Sequence, residues 1–242
     1  MSEIPLIPLE GGTDPVILLA QADLLLLIAQ LFAPPAAEMQ EGLITIEVSD
    51  INELLHKSGI PNPQPLDEIF QHFRQQAQGL SLETWAEEYN RLFEGNVSCP
   101  INESGFIRRD KGVILADIAG FYRAFGFELA DEAHEKGDHL RVELEFIALL
   151  LVMLANAEKE AIRTTHEALE SFSFDHLGEW LPAFCERLSL VTTFPFYRHL
   201  AKFTLEVWSG IVIINKLLIS ERNLRDKVEA EETPYECGMI DA

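Results

Sequence analysis

The segment 140–157 restricts the fold of this chain more than any other, because it is apolar at helical spacing on nearly every side. A helix of that kind has no face suited to water and must be surrounded by other elements. We therefore expect it at the centre of the fold. One stripe consists of Val142, Phe146, Leu149, Leu150 and Met153, and a second of Leu144, Ile147, Leu151 and Leu154.

Helical patterns also dominate the rest of the chain. Asp14 followed by Pro15 is typical of a helix start, with an N-cap carboxylate and a proline in the first turn. Ser81 is expected to cap another helix. The pattern predicts an all-α fold, a single globular domain of about eight to ten helices. Besides the helix after Pro15, the expected segments are 66–78, 82–93, 113–125, 140–157, 159–170, 177–189 and 196–219.

One stretch supports two interpretations. Ile44, Ile46 and Val48 alternate with polar residues, as in a short strand. The residues from Ser49 onward are instead typical of a capped helix. Both interpretations stay open at the level of sequence.

The chain is expected to form one helical domain over 1–221, followed by a charged tail over 222–242. The tail has few hydrophobic residues, so we expect it to be mobile. An acidic connection at 128–137 is a candidate hinge. Hinge loops permit domain swapping, so a monomer and a domain-swapped dimer are both open.

The chain is strongly acidic, with 40 acidic and 18 basic residues and a formal charge of -22. Such a surface repels nucleic acids and anionic membranes, so we expect neither nucleic acid binding nor direct membrane insertion. It would attract a basic peptide, although the charge could also serve solubility alone. Three scattered cysteines without a paired motif, and a start without the basic region of a secretory signal, indicate the cytoplasm.

No motif of a catalytic or cofactor site is present. The chain has no glycine-rich phosphate loop, no nucleophile elbow, and no pair of Glu-x-x-His motifs of the kind that di-iron bundles use. We predict no catalytic residues, no metal and no cofactor. His134, His139 and the Asp175-His176 pair are each expected to be surface or capping residues.

Asp138 and His139 precede the central helix and have two possible roles. The carboxylate is well placed to accept hydrogen bonds from exposed amides at the helix start, worth about 1 kcal/mol. Alternatively, the pair lies in a groove, where Asp138 binds a guanidinium of a partner. Arg108, Arg109 and Lys111 form the one basic cluster, which is either a solvated loop or an anion-binding patch.

An aromatic face precedes this region. Tyr89, Leu92 and Phe93 share one side of a helix, and Trp85 extends that side by one turn. The face either packs into the core or forms the wall of a peptide-binding groove.

Short patches between residues 89 and 146 resemble, in their order and spacing, the TorD/DmsD/NarJ family of chaperones that mature molybdenum enzymes. The family has an aromatic followed by Leu-Phe and Gly, a loop with Pro, a Phe-Tyr-x-x-Phe-Gly block, and a Glu-x-x-Asp-His hinge leading into Leu-x-x-Glu-Leu-Glu-Phe. The resemblance covers roughly 15–215. The matching residues are Tyr89, Leu92, Phe93 and Gly95, then Cys99-Pro100 with Glu103-Ser104, then 121–126, then Glu135, Asp138 and His139 with 140–146.

Two positions depart from the family. Lys136-Gly137 stands where the hinge often has Pro, and Tyr89 stands where some members have Trp. Both changes bear on which peptide is preferred. The basic stretch 108–112 and the hinge resemble the branch that serves type II dimethyl-sulfoxide-reductase-like enzymes.

The resemblance implies a cytoplasmic all-α chaperone without catalysis. Its partner would be the apo catalytic subunit of a molybdenum-cofactor enzyme, held until the cofactor is inserted, and the subunit's twin-arginine leader, shielded to delay export. Asp138 and Glu135 would pair with arginines. The full set of partner-binding residues expected from the resemblance is Trp85, Tyr89, Leu92, Phe93, Glu135, Asp138 and His139.

Two other classes of function stay open. One is a helical metal-binding or oxygen-handling enzyme, and the other is a helical adaptor for a protein unrelated to molybdenum.

Overall fold

A computed structural model describes residues 13–94, 97–129 and 136–218. Over those residues the chain forms ten α-helices and one 3-10 turn, Glu103–Gly105, and its only β pairing is an isolated bridge. The predicted all-α class is confirmed. The helices are α1 Pro15–Leu31, α2 Ala37–Thr45, α3 Val48–Lys57, α4 Gln64–Gly79, α5 Leu82–Phe93, α6 Lys111–Ala124, α7 Leu140–Ala155, α8 Lys159–Asp175, α9 Leu177–Val191 and α10 Pro195–Asn215.

Helix α7 is central, as its composition predicts. It packs along α1 and α8 and also contacts α9. Arg141 fastens α7 to α1, because its Nε donates to the carbonyl of Ala29 at 3.1 Å. Helix α10 packs against α4 and α9, and α4 in turn contacts α2 and α3. The buried side chains of all these helices form one continuous hydrophobic core.

The predicted helix starts at Asp14 and Ser81 are confirmed. The Asp14 carboxylate accepts from the amide of Val16 at 2.8 Å, and Ser81 Oγ accepts from the amide of Thr84 at 3.1 Å. Helix α6 begins before the predicted Val113, because the Asp110 carboxylate caps it at 2.8 Å from the amide of Gly112.

The strand interpretation of 44–48 is wrong. Ile44 lies in the last turn of α2, and its carbonyl accepts two hydrogen bonds from the guanidinium of Arg74, at 3.1 and 2.6 Å. The chain turns through Ile46 and Glu47 into α3. The expected cap at Ser49 is also displaced, since α3 begins at Val48.

Two predicted features fall largely or wholly beyond the described residues. The tail 222–242 lies outside them, and so does 130–135, the greater part of the predicted hinge. Mobility of the tail, hinge motion and domain swapping therefore stay predictions. No helix within the described residues is long and apolar enough to cross a bilayer.

Substitution of glycine by alanine should have opposite effects in two of these helices. A Cβ on Gly210 would lie 2.7 Å from Ile60 Cγ1 and Cγ2, whereas a Cβ on Gly120 meets nothing within 4 Å. Overpacking costs about 1–3 kcal/mol, so Gly210→Ala should lower the free energy of unfolding despite the better helix propensity of alanine. Gly120→Ala should raise it by about 0.5–1 kcal/mol. Urea denaturation of both variants measures the difference, and a stabilised Gly210→Ala protein would contradict the packing described here.

Candidate functional site

The loop between α5 and α6 and the segment before α7 are joined by backbone hydrogen bonds. The amide of Glu103 donates to the carbonyl of Asp138 at 2.8 Å, and the amide of Leu140 donates to the carbonyl of Ile101 at 3.0 Å. Asn102 and His139 form the isolated bridge. Two patches that are distant in sequence thus form one structural unit, which we call the loop clasp (residues 101–104 and 138–140).

Asp138 supports the loop clasp from within. Its carboxylate is fully buried and accepts from Asn102 Nδ2 at 3.2 Å and from the amide of Ser104 at 3.3 Å. The expectation that Asp138 caps α7 is wrong, because it lies one residue too early. The N-cap is His139, whose Nδ1 accepts from the amide of Arg141 at 3.2 Å. The capping role expected for His139 is confirmed.

Glu103 belongs to the loop clasp, and its side chain lies at the centre of a buried polar cluster. One carboxylate oxygen is 3.1 Å from Arg109 Nη2, and the other is 2.9 Å from His176 Nδ1. Both Glu103 and His176 are fully buried. The expectation of a surface or capping side chain at His176 is wrong: the residue stands at the junction of α8 and α9, but its ring points inward to Glu103.

Arg109 links this cluster to two helices. Its Nη2 donates to the carbonyl of Asp175, at the end of α8, and lies 3.5 Å from Glu179 Oε2 in α9. Only 24% of the Arg109 side chain is exposed. The solvated-loop interpretation is therefore wrong for Arg109, whereas Arg108 is exposed. The guanidinium is rigid and planar and has several N–H donors, so one arginine can bind several acceptors at once.

Glu143 completes the cluster from the first turn of α7. Its Oε2 accepts from Trp180 Nε1 at 3.0 Å. Complete burial raises the pKa of this carboxyl well above its ordinary value, and the nearby charge of Glu103 raises it further. The neutral form of Glu143 is therefore favoured. We call Glu103, Arg109, Glu143, His176 and Glu179 the Glu103 network.

The chemistry of this cluster is that of a support rather than of a reaction centre. Its carboxylates are occupied by an arginine, a histidine and an indole, and those at Glu103, Glu143 and Glu179 are buried. Burial raises the pKa of the nearby Cys99 thiol to about 12, which keeps it protonated and unreactive. Across 13–94, 97–129 and 136–218, no three His, Cys, Asp or Glu side chains are grouped to hold a metal ion.

The predicted aromatic face of α5 packs into the core. Trp85 Nε1 donates to the hydroxyl of Tyr197 in α10 at 3.0 Å. Phe93 packs edge-on against Phe32 and Tyr197. The exposed fractions of Trp85, Tyr89, Leu92 and Phe93 are 0%, 4%, 0% and 6%.

The structure brings some of the expected binding residues together and separates others. Asp138 and His139 are neighbours in the loop clasp, while the four residues of α5 lie in the core. Glu135 and Gly95 are outside the described residues. The six described residues of the expected set are at most 8% exposed, and their contact with a partner stays a prediction.

The Glu103 network is absent from the set of residues predicted from the sequence. One signal was available: Glu143 interrupts a helix that is otherwise apolar on nearly all sides, which indicates a buried carboxyl. No comparable signal marks the partners, because Glu103 and His176 are 73 positions apart.

Comparison with known proteins places these features in context. A sequence model of the nitrate reductase delta subunit family matches residues 61–186, just over half of the chain. The chlorate reductase assembly chaperone of Ideonella dechloratans is 35% identical over 124 residues, 47% of this chain and 62% of that protein. The selenate reductase assembly chaperone of Thauera selenatis is 35% identical over 120 residues, 45% of this chain and 60% of that protein.

A third relative is the chaperone protein TorD of Vibrio cholerae serotype O1, which is 32% identical over 101 residues, 40% of this chain and 46% of that protein. The chain thus spans about three fifths of the chlorate and selenate relatives and less than half of the Vibrio protein.

Removal of the Arg109 guanidinium should destabilise the fold. Arg109→Met leaves the carboxylates of Glu103 and Glu179 without their cation in a buried setting, which should cost roughly 2–4 kcal/mol. The matched control is Arg163→Met on the surface of α8, where the pair with Glu167 is 3.8 Å long and more than half exposed. That change should cost less than about 0.5 kcal/mol. Equal effects of the two substitutions in urea denaturation would rule out the role given to Arg109.

The raised pKa of Glu143 should make its replacement depend on pH. The folded protein retains a proton that the unfolded chain releases above the ordinary pKa of 4.5. The contribution of Glu143 to the free energy of unfolding therefore falls as the pH rises toward the folded pKa, by about 1.4 kcal/mol per pH unit. Glu143→Gln keeps an acceptor for Trp180, so its stability relative to the parent should rise as the pH increases from about 5 toward the folded pKa.

Urea denaturation across that range measures the effect, with the exposed Glu87→Gln variant as control. Parallel profiles for the parent and Glu143→Gln would show that Glu143 ionises normally in the folded protein.

Proposed function

The chain belongs to the nitrate reductase delta subunit family, and from this membership we propose that it is an assembly chaperone for the catalytic subunit of a molybdenum-cofactor reductase. The observation that carries the proposal is the similarity to two relatives named as chlorate and selenate reductase assembly chaperones. Under this proposal the protein binds the apo subunit, assists insertion of the cofactor and is not itself an enzyme. The type II dimethyl-sulfoxide-reductase-like enzymes are the proposed client class.

Several physical features are consistent with a binding role. The matched region 61–186 contains the loop clasp and the Glu103 network, which together hold α6 to α9 in place. Short contacts join Glu103 to Arg109 and His176, and Arg109 to Glu179, as in a scaffold. The formal charge of -22 favours partners with basic segments.

The proposed place of action is the cytoplasm, and the twin-arginine leader of the client is a proposed second ligand. The expected binding residues Asp138 and His139 are kept as a proposal with one condition. Because Asp138 is buried under Asn102 and Ser104, contact with a guanidinium requires the loop clasp to open. Contact with the α5 face, Trp85 to Phe93, would likewise require part of the core to separate.

Deletion of the gene tests the proposal. In a strain without this chain, the reductase catalytic subunit should accumulate without its molybdenum cofactor, and enzyme activity should fall to background. A plasmid copy of the chain should restore both. The measurements are metal analysis of the purified subunit, its activity, and co-purification of the apo subunit with the tagged chain.

The same experiments separate the other two classes of function. Full maturation of the catalytic subunit in the deletion strain would overturn the chaperone proposal. Stoichiometric iron, zinc or manganese in the purified chain would favour a metal-binding enzyme instead. A stable complex with a protein unrelated to molybdenum, and none with the reductase subunit, would favour the adaptor.

A further inference from the structure

An open groove lies between the second half of α1, helix α2 and the start of α3, well apart in sequence from the loop clasp. Its volume is about 600 Å³, within the range of grooves that bind ligands. Its lining is predominantly apolar, with flexible Met39 able to adjust to an occupant. The apolar lining includes Leu27, Leu31, Met39, Leu43 and Ile46.

The groove exists because α2 fills little of the space beside α1. Leu43 is the one buried residue of this short helix. Gly42, one position earlier, also lines the groove and has no side chain. A Cβ at Gly42 would meet nothing within 4 Å. A Cβ at Gly42 would therefore displace no neighbour, and a larger side chain there would lie at the groove.

The apolar lining of the groove comes from three elements. Leu27 and Leu31 belong to α1, Met39 and Leu43 belong to α2, and Ile46 follows α2. An open groove lined in this way differs from single apolar residues scattered over a surface, and contiguous apolar surfaces mark sites of interaction.

The rim of the groove is acidic. Glu38, Glu47 and Asp50 line it and are exposed. None of the three forms a salt bridge with another described residue. No Lys or Arg is among the described residues that line the groove. The unneutralised rim favours an occupant with positive charge beside its apolar part.

We propose that the α1–α2–α3 groove is a docking site for an apolar segment of the client that is flanked by basic residues. The apolar part lies against Leu27, Leu31 and Met39, and the basic residues pair with the rim. This inference rests on the proposed chaperone function, and it gives that function a binding surface that needs no opening of the core. It is independent of the loop clasp and of the α5 face.

Blocking the groove tests the proposal. Gly42→Trp places an indole in the open space, while Gly120→Trp places the same side chain on exposed α6, where a Cβ is also unhindered. The probe is a fluorescein-labelled peptide with two arginines followed by about 12 alternating leucines and alanines, enough for about three helical turns. Gly42→Trp should weaken peptide binding by about tenfold or more, and Gly120→Trp should bind like the parent.

Charge is tested separately. A peptide with glutamates in place of the two arginines should bind the parent more weakly. In the triple variant Glu38→Gln, Glu47→Gln and Asp50→Asn, the two peptides should bind with nearly equal affinity. Added salt should likewise reduce the difference in affinity between the peptides for the parent.

Three results would each overturn the proposal: no binding of the arginine peptide to the parent, equal binding of that peptide by the parent and Gly42→Trp, or equal binding of both peptides to the parent. A parent dimer dissolved by Gly42→Trp alone, measured by ultracentrifugation, would identify a second copy as the occupant and also overturn it.

Failure of this inference is distinguishable from failure of the chaperone function. If Gly42→Trp still co-purifies with the catalytic subunit and restores its maturation, the groove is not the docking site but the chaperone function stands. If the parent itself neither captures nor matures the subunit, the chaperone function fails whatever the peptide result. Loss of maturation with Gly42→Trp but not with Gly120→Trp supports both the docking site and the chaperone function.

Discussion

Glu103 joins the loop before α6 to the α8–α9 junction, through an ion pair with Arg109 and a hydrogen bond with His176. A carboxylate with no contact to water is costly unless it is paired, and here the arginine comes from the same loop while the histidine comes from the α8–α9 junction. Glu103 also reaches the segment before α7, because its backbone amide donates to the carbonyl of Asp138 at 2.8 Å. The same residue therefore contacts the α8–α9 junction through its side chain and the start of the central helix through its backbone.

The arrangement of the helices is determined by their apolar surfaces. Helix α7 is buried on nearly all sides because α1, α8 and α9 surround it, and the sequence is sufficient to predict this placement. Caps at Asp14 and Ser81 are local effects and were predictable for the same reason. The end of α2 was not predictable in this way, because the alternation of Ile44, Ile46 and Val48 matches a strand. The helical end is stabilised by a distant residue, since the guanidinium of Arg74 in α4 donates to the carbonyl of Ile44.

Prediction of the site from sequence was less complete. The family match confirms membership of the chaperone family. Two of the motifs that indicated it, the loop at 101–104 and the hinge at 138–140, are joined by backbone hydrogen bonds. Asp138 was singled out as a partner-binding residue, and that role stays a prediction. Its hydrogen bonds in this structure go to its own loop. The Glu103 network was missed because its members come from four separate segments, and such pairings are long-range properties that no local pattern encodes.

The loop clasp also bears on where the chain tolerates insertions. It closes the segment between Ser104 and Asp138, two residues joined by a hydrogen bond, while Ile114 and Ile118 of α6 stay buried in the core. An insertion in such a closed loop costs only about 0.6 kcal/mol for each doubling of its length. Added residues in the exposed turns of this segment should therefore leave the register of α7 unchanged, as long as Arg109 and the buried side of α6 keep their contacts.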